Sequence, residues 1–425
     1  MRATRNPATV WKGVVATCAV AMSGGGVSAQ QTEEWIVMGA DLAGRSQEEL
    51  QSRFAGLAQA PEFEVVETRN GLTIARIDRQ ASALVQSVGH LDFHRCGGYT
   101  VHPTRESALR ELNNPIYQPG FVQSEGVLTT TIIDQQATVS AALDKIDPAG
   151  IVNTIQELQD IGTRYYEASG GEQSADLIAQ LWAGYIADYP GASVEQVEHD
   201  WAQNSVIATI PGSLFPDEIV VIGGHLDSIN LADTNAAPGA DDDASGIAAV
   251  SETLRVLMET DFKPERTIQV MAYAAEEVGL RGSGGIAGEY AGSGKNVVAA
   301  LQLDMTGFRG SEKDMYFVTD FVNPHVTDFL KALIQQYNTV GPHAIAFGET
   351  ECGYACSDHA SWTRNGYPSA FPFEARFEDF NPSIHSPQDL VQNLDTSGAH
   401  QARFAKLAAE FAIELGDADS PTATK

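Results

Sequence analysis

Between residues 204 and 304 strand and helix patterns follow one another, and the strand patterns lead into histidines or carboxylates. The spacing predicts strands over 204–210 and 218–224, a helix over 245–260, a strand over 267–274, a helix over 280–291 and a strand over 297–304. The first two strands, joined through Pro211-Gly212, read as neighbours. Regular alternation of this kind specifies an α/β fold: a mixed, mainly parallel central sheet with helices on both faces. In such a sheet the ligand crevice lies beyond the carboxyl ends of the strands.

The residues able to do chemistry gather at those ends. His225 and Asp227 follow the second strand, and Asp241-Asp242-Asp243 opens the next helix. Glu276-Glu277 follows the third strand, Asp304 ends the fourth, and His385 lies in a late loop. Two imidazoles with three or four carboxylates suit one or two zinc-like ions. Without cations, so many carboxylates would repel one another in a partly buried site. Asp227, two residues from His225, is placed to accept from the imidazole and orient it. Each element alone has a plain explanation. An Asp triplet before a helix complements the helix dipole, and a Glu-Glu pair after a strand makes a solvated turn. The five together, in this order, argue for a site.

Charge narrows the partners. With 26 Lys+Arg against 56 Asp+Glu, the net charge is −30. Nucleic acid is excluded, because its binding needs dense positive charge to displace counterions. An anionic membrane surface is excluded on the same ground, and no apolar run is long enough to span a bilayer. The expected state is a monomer that repels its own kind.

The N-terminal third reads differently. Arg2, Arg5 and Lys12 precede an apolar run over 14–22, and Val27-Ser28-Ala29 ends a small-residue stretch. Residues 1–29 are therefore expected to be a secretory signal, sending the protein outside the cell or to a periplasm. Residues 30–127 read as a small α+β propeptide, 128–417 as the catalytic domain and 418–425 as a polar tail. Within the propeptide, 35–38 reads as a strand, 46–57 as a helix opened by a Ser46/Glu49 capping box, and 63–77 as a hairpin turning at Asn70-Gly71. Residues from Arg105 through Asn113-Asn114-Pro115 to about Gly126 read as a loose segment. Gly89-His90-Leu91-Asp92 repeats the string at 224–227 without its companions, and reads either as coincidence or as part of an inhibitory surface. Cys352 and Cys356 would form a small disulfide loop in an oxidising compartment, or otherwise stand as two reduced core thiols. Cys96, beside Arg95, is either a thiolate that blocks a zinc in the precursor or an inert buried cysteine.

Several motifs carry a family resemblance: His225-Leu226-Asp227-Ser228, Ala237 to Gly246, Tyr273 to Ser283, Gln302 to Met305, Cys352 to Ala360 and Asn381 to His385. Together they resemble the secreted Vibrio-type bacterial leucyl aminopeptidases, zinc exopeptidases with a phosphorylase/hydrolase-like fold. The resemblance spans about residues 130–417. It implies two zinc ions bridged by Asp242, with His225 and Asp304 on one and Glu277 and His385 on the other. It implies Glu276 as general base, Tyr354 as the hydrogen-bond donor to the oxyanion, held by the Cys352–Cys356 loop, and a cis peptide after Asp242. Met305, Val318, Tyr354, Phe373, Phe377, Phe380 and Ile384 match a pocket for the first residue. Their apolar and aromatic character favours peptides with a free N-terminus and a large hydrophobic first residue. A carboxypeptidase or N-acyl amino acid deacylase on the same fold, or a non-catalytic binding ectodomain, are the competing expectations.

Overall fold

The computed structural model describes residues 33–55, 60–93, 95, 97–114 and 132–417. The expected signal, the polar tail, the 127/128 boundary and Cys96 lie outside the described residues.

The N-terminal part is built on strands β1 (Glu34–Gly39), β2 (Phe63–Arg69), β3 (Leu72–Ile77) and β4 (Tyr99–His102), ordered β2-β3-β1-β4 and antiparallel throughout. Alternation along β1 divides its side chains between two faces. Ile36 and Met38 pack with Leu42, Leu50 and Val85 of helices Ala40–Phe54 and Arg79–Phe93. Val37 packs on the opposite face with Ala108 and Leu112 of helix Arg105–Leu112. The hairpin turns at Asn70-Gly71, both at positive φ (54° and 79°), as a two-residue turn demands.

Two local expectations fail here. The first helix begins at Ala40, so Ser46 is a fully buried interior residue and caps nothing. The chain passes straight from β1 into the helix because Leu42, Ala43 and Leu50 already share one apolar face. The segment after Arg105 is a helix, opened by a reciprocal Thr104/Ser107 box that uses Ser where Glu or Gln is usual.

The C-terminal part carries β5 (Ser193–Val197), β6 (Ser205–Ile210), β7 (Phe215–His225), β8 (Arg266–Tyr273), β9 (Asn296–Gln302), β10 (Met315–Val318), β11 (Phe347–Thr350), β12 (Ser369–Ala370) and β13 (Pro372–Phe373). Six of them form the central sheet in the order β12-β9-β7-β8-β6-β5. The first four run parallel, β6 runs antiparallel to β8, and β5 antiparallel to β6. Helices Pro148–Gln159, Ser169–Ile186, Gly246–Glu259 and Gln401–Gly416 contribute to the large core, with Ile155, Trp182, Leu254 and Phe411 fully buried. On the other face Ile286, Tyr290 and Trp362 pack against Val221 and Met271. The expected α/β architecture is the one found. A small sheet, β11-β10-β13, stands beside it. The compact unit begins at Glu33, so the N-terminal part packs with the rest.

β6 and β7 are not neighbours, contrary to expectation: β8 lies between them. The connection passes the start of β8, where Ser213 N–H donates to Pro264 O and Leu214 and Phe215 N–H donate to Glu265 O. Gly212 permits this crossing, because a Cβ there would sit 2.5 Å from Glu265 O and from Arg266 C.

Gly212→Ala is therefore expected to lower the denaturant midpoint, at a cost of about 1–3 kcal/mol. Gly285→Ala, on an exposed helix position with open space at Cβ, should stabilise by about 0.5–1 kcal/mol. Equal midpoints for the two variants would refute the crossing argument.

Candidate active site

Strand β7 delivers His225, fully buried, at its carboxyl end. Its Nε2 lies 2.9 Å from Asp242 Oδ1 and 3.6 Å from Asp304 Oδ1, and its Nδ1 3.4 Å from Asp227 Oδ1. Burial works against charge on this ring, but Asp304, Asp227 and Asp242 outweigh it and hold its pKa well above the usual range. The other oxygen of Asp242 lies 2.9 Å from His385 Nε2, which is 3.1 Å from Glu277 Oε2. Asp242 thus offers one oxygen to each of two groups. His225, Asp242 and Asp304 can hold one metal ion; Glu277 and His385, with His90 from the N-terminal part, can hold another. The Asp242–Asp243 peptide is cis.

The donor set fits divalent ions. Glu276 Oε1 and Oε2, Glu277 Oε1 and Asp304 Oδ1 are buried and find no hydrogen-bond partner among the described residues. Burial drives the pKa of Glu276 and Asp243 well above the usual carboxylate range and raises that of Asp304. Buried carboxylates without partners are costly, and imidazole with carboxylate oxygens is a zinc-type ligand set.

The peptidase family M28 model matches residues 205–411. A probable leucine aminopeptidase of Arthroderma otae is 40% identical over 292 residues, covering 68% of this chain and 78% of that protein. The chain belongs to peptidase family M28. It is a hydrolytic aminopeptidase of that family. Among solved structures, the Legionella pneumophila LapA aminopeptidase is 26% identical, with a TM-score of 0.76 over 91% of this chain and 99% of its own. Legionella pneumophila LapB gives 27% and 0.72 over 91% of this chain and 100% of its own. These matches carry the family and the fold, not the Vibrio-type branch that the motifs resemble.

The M28 site rests on contacts that the sequence reading reached only in part. Asp227 does more than face His225: its two oxygens accept the N–H groups of Glu276 (2.9 Å) and Glu277 (3.1 Å), fixing that turn. Asp389, missed from the sequence, accepts the N–H groups of Asp241 (3.0 Å) and Asp242 (3.1 Å). Asp243 accepts from the backbone of His225 (2.9 Å), Gly246 (2.8 Å) and Met305 (3.2 Å), tying two strand ends to the start of a helix. Ser357 Oγ donates to Asp304 Oδ2 at 2.6 Å. Arg164, fully buried, donates to the carbonyls of Leu226, Pro238 and Gly239. Asp389 and Arg164 carried no motif signal, because each acts on backbone groups of a distant segment.

Beside the ligands lies a narrow apolar pocket lined by Asp304, Met305, Cys356, Phe371, Phe373, Phe377, Phe380 and Ile384. Five of the expected pocket residues are among these. Val318 is fully buried in the cluster behind them, and Tyr354 belongs to the same cluster with its ring 5.9 Å from that of Phe377. Phe371 was not anticipated. A disulfide joins Cys352 to Cys356, and Asp320 accepts from the N–H groups of Cys352 and Gly353 at the start of that loop.

Asp389→Ala removes the acceptor that positions Asp242 and is expected to weaken divalent-metal affinity about 10–100-fold. Competition with a chelating dye measures it. An unchanged affinity would show that Asp389 does not hold the loop.

Proposed function

We propose that this M28 aminopeptidase is secreted, holds two zinc ions, and releases large hydrophobic residues from the N-termini of peptides. The observation that carries the reading is the adjacency of three things: two ligand groups that Asp242 touches with one oxygen each, a buried Glu276 carboxylate without a hydrogen-bond partner among the described residues, and an apolar pocket walled partly by Asp304. A side chain in that pocket brings its own carbonyl to the ligand cluster. His225 and Asp304 would hold one ion, Glu277 and His385 the other, with Asp242 between them. Bound divalent ions would polarise the scissile carbonyl and make water acidic enough to attack at neutral pH. Glu276 takes a proton from the attacking water and returns it to the leaving amine. Tyr354 donates a hydrogen bond to the developing oxyanion.

Large apolar first residues fit the lining of Met305, Phe371, Phe373, Phe377, Phe380 and Ile384. Discrimination between close homologues is modest, because one methylene is worth only about 1–3 kcal/mol. A carboxypeptidase would need a cation to grip the terminal carboxylate, and none of the residues lining the pocket is basic. Export rests on the residue pattern of 1–29. On the same footing, the segment from 30 to 127 is a propeptide removed to give the active enzyme.

Hydrolysis of leucine p-nitroanilide, compared with its N-acetyl form, tests the reading. The free-amine substrate alone should be cleaved, and chelator should abolish turnover. Glu276→Gln should lower kcat by about 10²–10⁴-fold with metal content unchanged. Cleavage of the acetylated substrate would replace the aminopeptidase mechanism with a deacylase one.

A further inference from the structure

One side chain of the N-terminal part reaches into the ligand cluster. His90, near the end of helix Arg79–Phe93, has a side chain only 1% exposed. Its Nε2 lies 3.3 Å from Glu277 Oε2, and its ring stands edge-on to that of His385 with centroids 4.3 Å apart. Its Nδ1 lies 2.9 Å from Gln86 O. A carbonyl only accepts, so Nδ1 donates to it and the ring is held with Nε2 turned toward Glu277. Nε2, Glu277 and His385 thus converge closely enough for one cation to be held among them. An imidazole that donates one N–H to a backbone carbonyl and points the other nitrogen at a carboxylate has the orientation of a metal ligand.

The rest of the N-terminal part grips the same turn. Val101 N–H donates to Gly279 O at 3.3 Å, and Arg281 forks onto both oxygens of Glu34 at 2.8 and 2.9 Å. A Cβ on Gly97 would lie 3.5 Å from Glu276 O. The Arg95 guanidinium sits 5.2 Å above the Tyr354 ring, held by Asp41. These contacts surround the Glu276–Arg281 segment and position His90 over Glu277.

We infer that His90 is an intramolecular ligand to the metal ion held by Glu277 and His385, so that the N-terminal part closes the enzyme by coordination. The inference rests on the aminopeptidase reading, and adds to it that the ion held by Glu277 and His385 would bind the free α-amine of the substrate. His90 would compete with that amine for the ion. Opening exchanges one dative bond for another: the His90 nitrogen leaves the ion and the substrate amine takes its place, with no change of oxidation state.

X-ray absorption on the uncleaved, zinc-loaded chain tests this. Three imidazoles shared between two ions are expected in the wild type, and two in His90→Ala and His90→Gln. Leucine p-nitroanilide hydrolysis by the uncleaved variants should rise about tenfold or more, following the enlarged open fraction. Two imidazoles in the wild type would overturn the proposal, and that measurement needs no variant to fold. A chain nicked at an engineered protease site within residues 115–131 reports on the underlying reading. If it is inactive while the wild type shows three imidazoles, the aminopeptidase reading falls and the ligation stands. If it is active while the wild type shows two, the ligation falls and the reading stands.

Discussion

Everything at the crevice depends on holding many carboxylates in a region nearly closed to water. Asp227, Asp241, Asp242, Asp243, Glu276, Glu277, Asp304, Asp358 and Asp389 are all buried. Burial pushes Asp241 up to about 6 and Asp358 up to about 7. The chain resolves the repulsion by dividing the work. Asp227, Asp243 and Asp389 accept backbone N–H groups and lock the turns, which uses their negative charge locally. Those left over, Glu276 and parts of Glu277 and Asp304, have oxygens without hydrogen-bond partners among the described residues. A buried acidic group that the protein does not satisfy itself is a place for something else to bind.

The sheet makes that division possible. Parallel strands β9, β7 and β8 end side by side, so His225, Glu276-Glu277 and Asp304 arrive at one place from separate stretches of sequence. Arg164 secures the arrangement from beneath by donating to three loop carbonyls. Burial opposes its charge, and the surrounding Asp243, Asp389, Asp227 and Asp242 counter that effect. A guanidinium suits this task because its donors diverge in a fixed plane and cannot be deprotonated.

Much of this was legible in the sequence because it obeys local rules. The strand ends and the helix after the Asp triplet follow from periodicity and residue type, and the apolar lining follows from the family resemblance. What escaped was of another kind. The β6–β8–β7 order depends on Gly212 allowing a backbone crossing, which no hydrophobic pattern encodes. Asp389 and Ser357 act over sequence separations of 147 and 53 residues, and their types are common in loops. The Ala40 helix start was missed because Ser46 and Glu49 mimic a cap, while the burial of Leu42 and Ala43 decides the boundary.

The repeated string Gly-His-Leu-Asp shows what backbone context adds to residue identity. At the end of β7, His225 and Asp227 meet, with Nδ1 3.4 Å from the carboxylate, and Asp227 also fixes the Glu276-Glu277 turn. At the end of a helix the same spacing sends the two side chains apart, since residues two positions apart do not share a helix face. His90 goes to Glu277, and Asp92 goes to Arg45 at 2.6 Å. The helix supplies the Gln86 carbonyl four residues back, which fixes the His90 ring as Asp227 fixes that of His225. Both histidines are thus oriented through Nδ1 and present Nε2 to carboxylates of the same crevice, by two different local means. Coincidence in the sequence does not explain a shared orientation, whereas a shared need for a directed imidazole does.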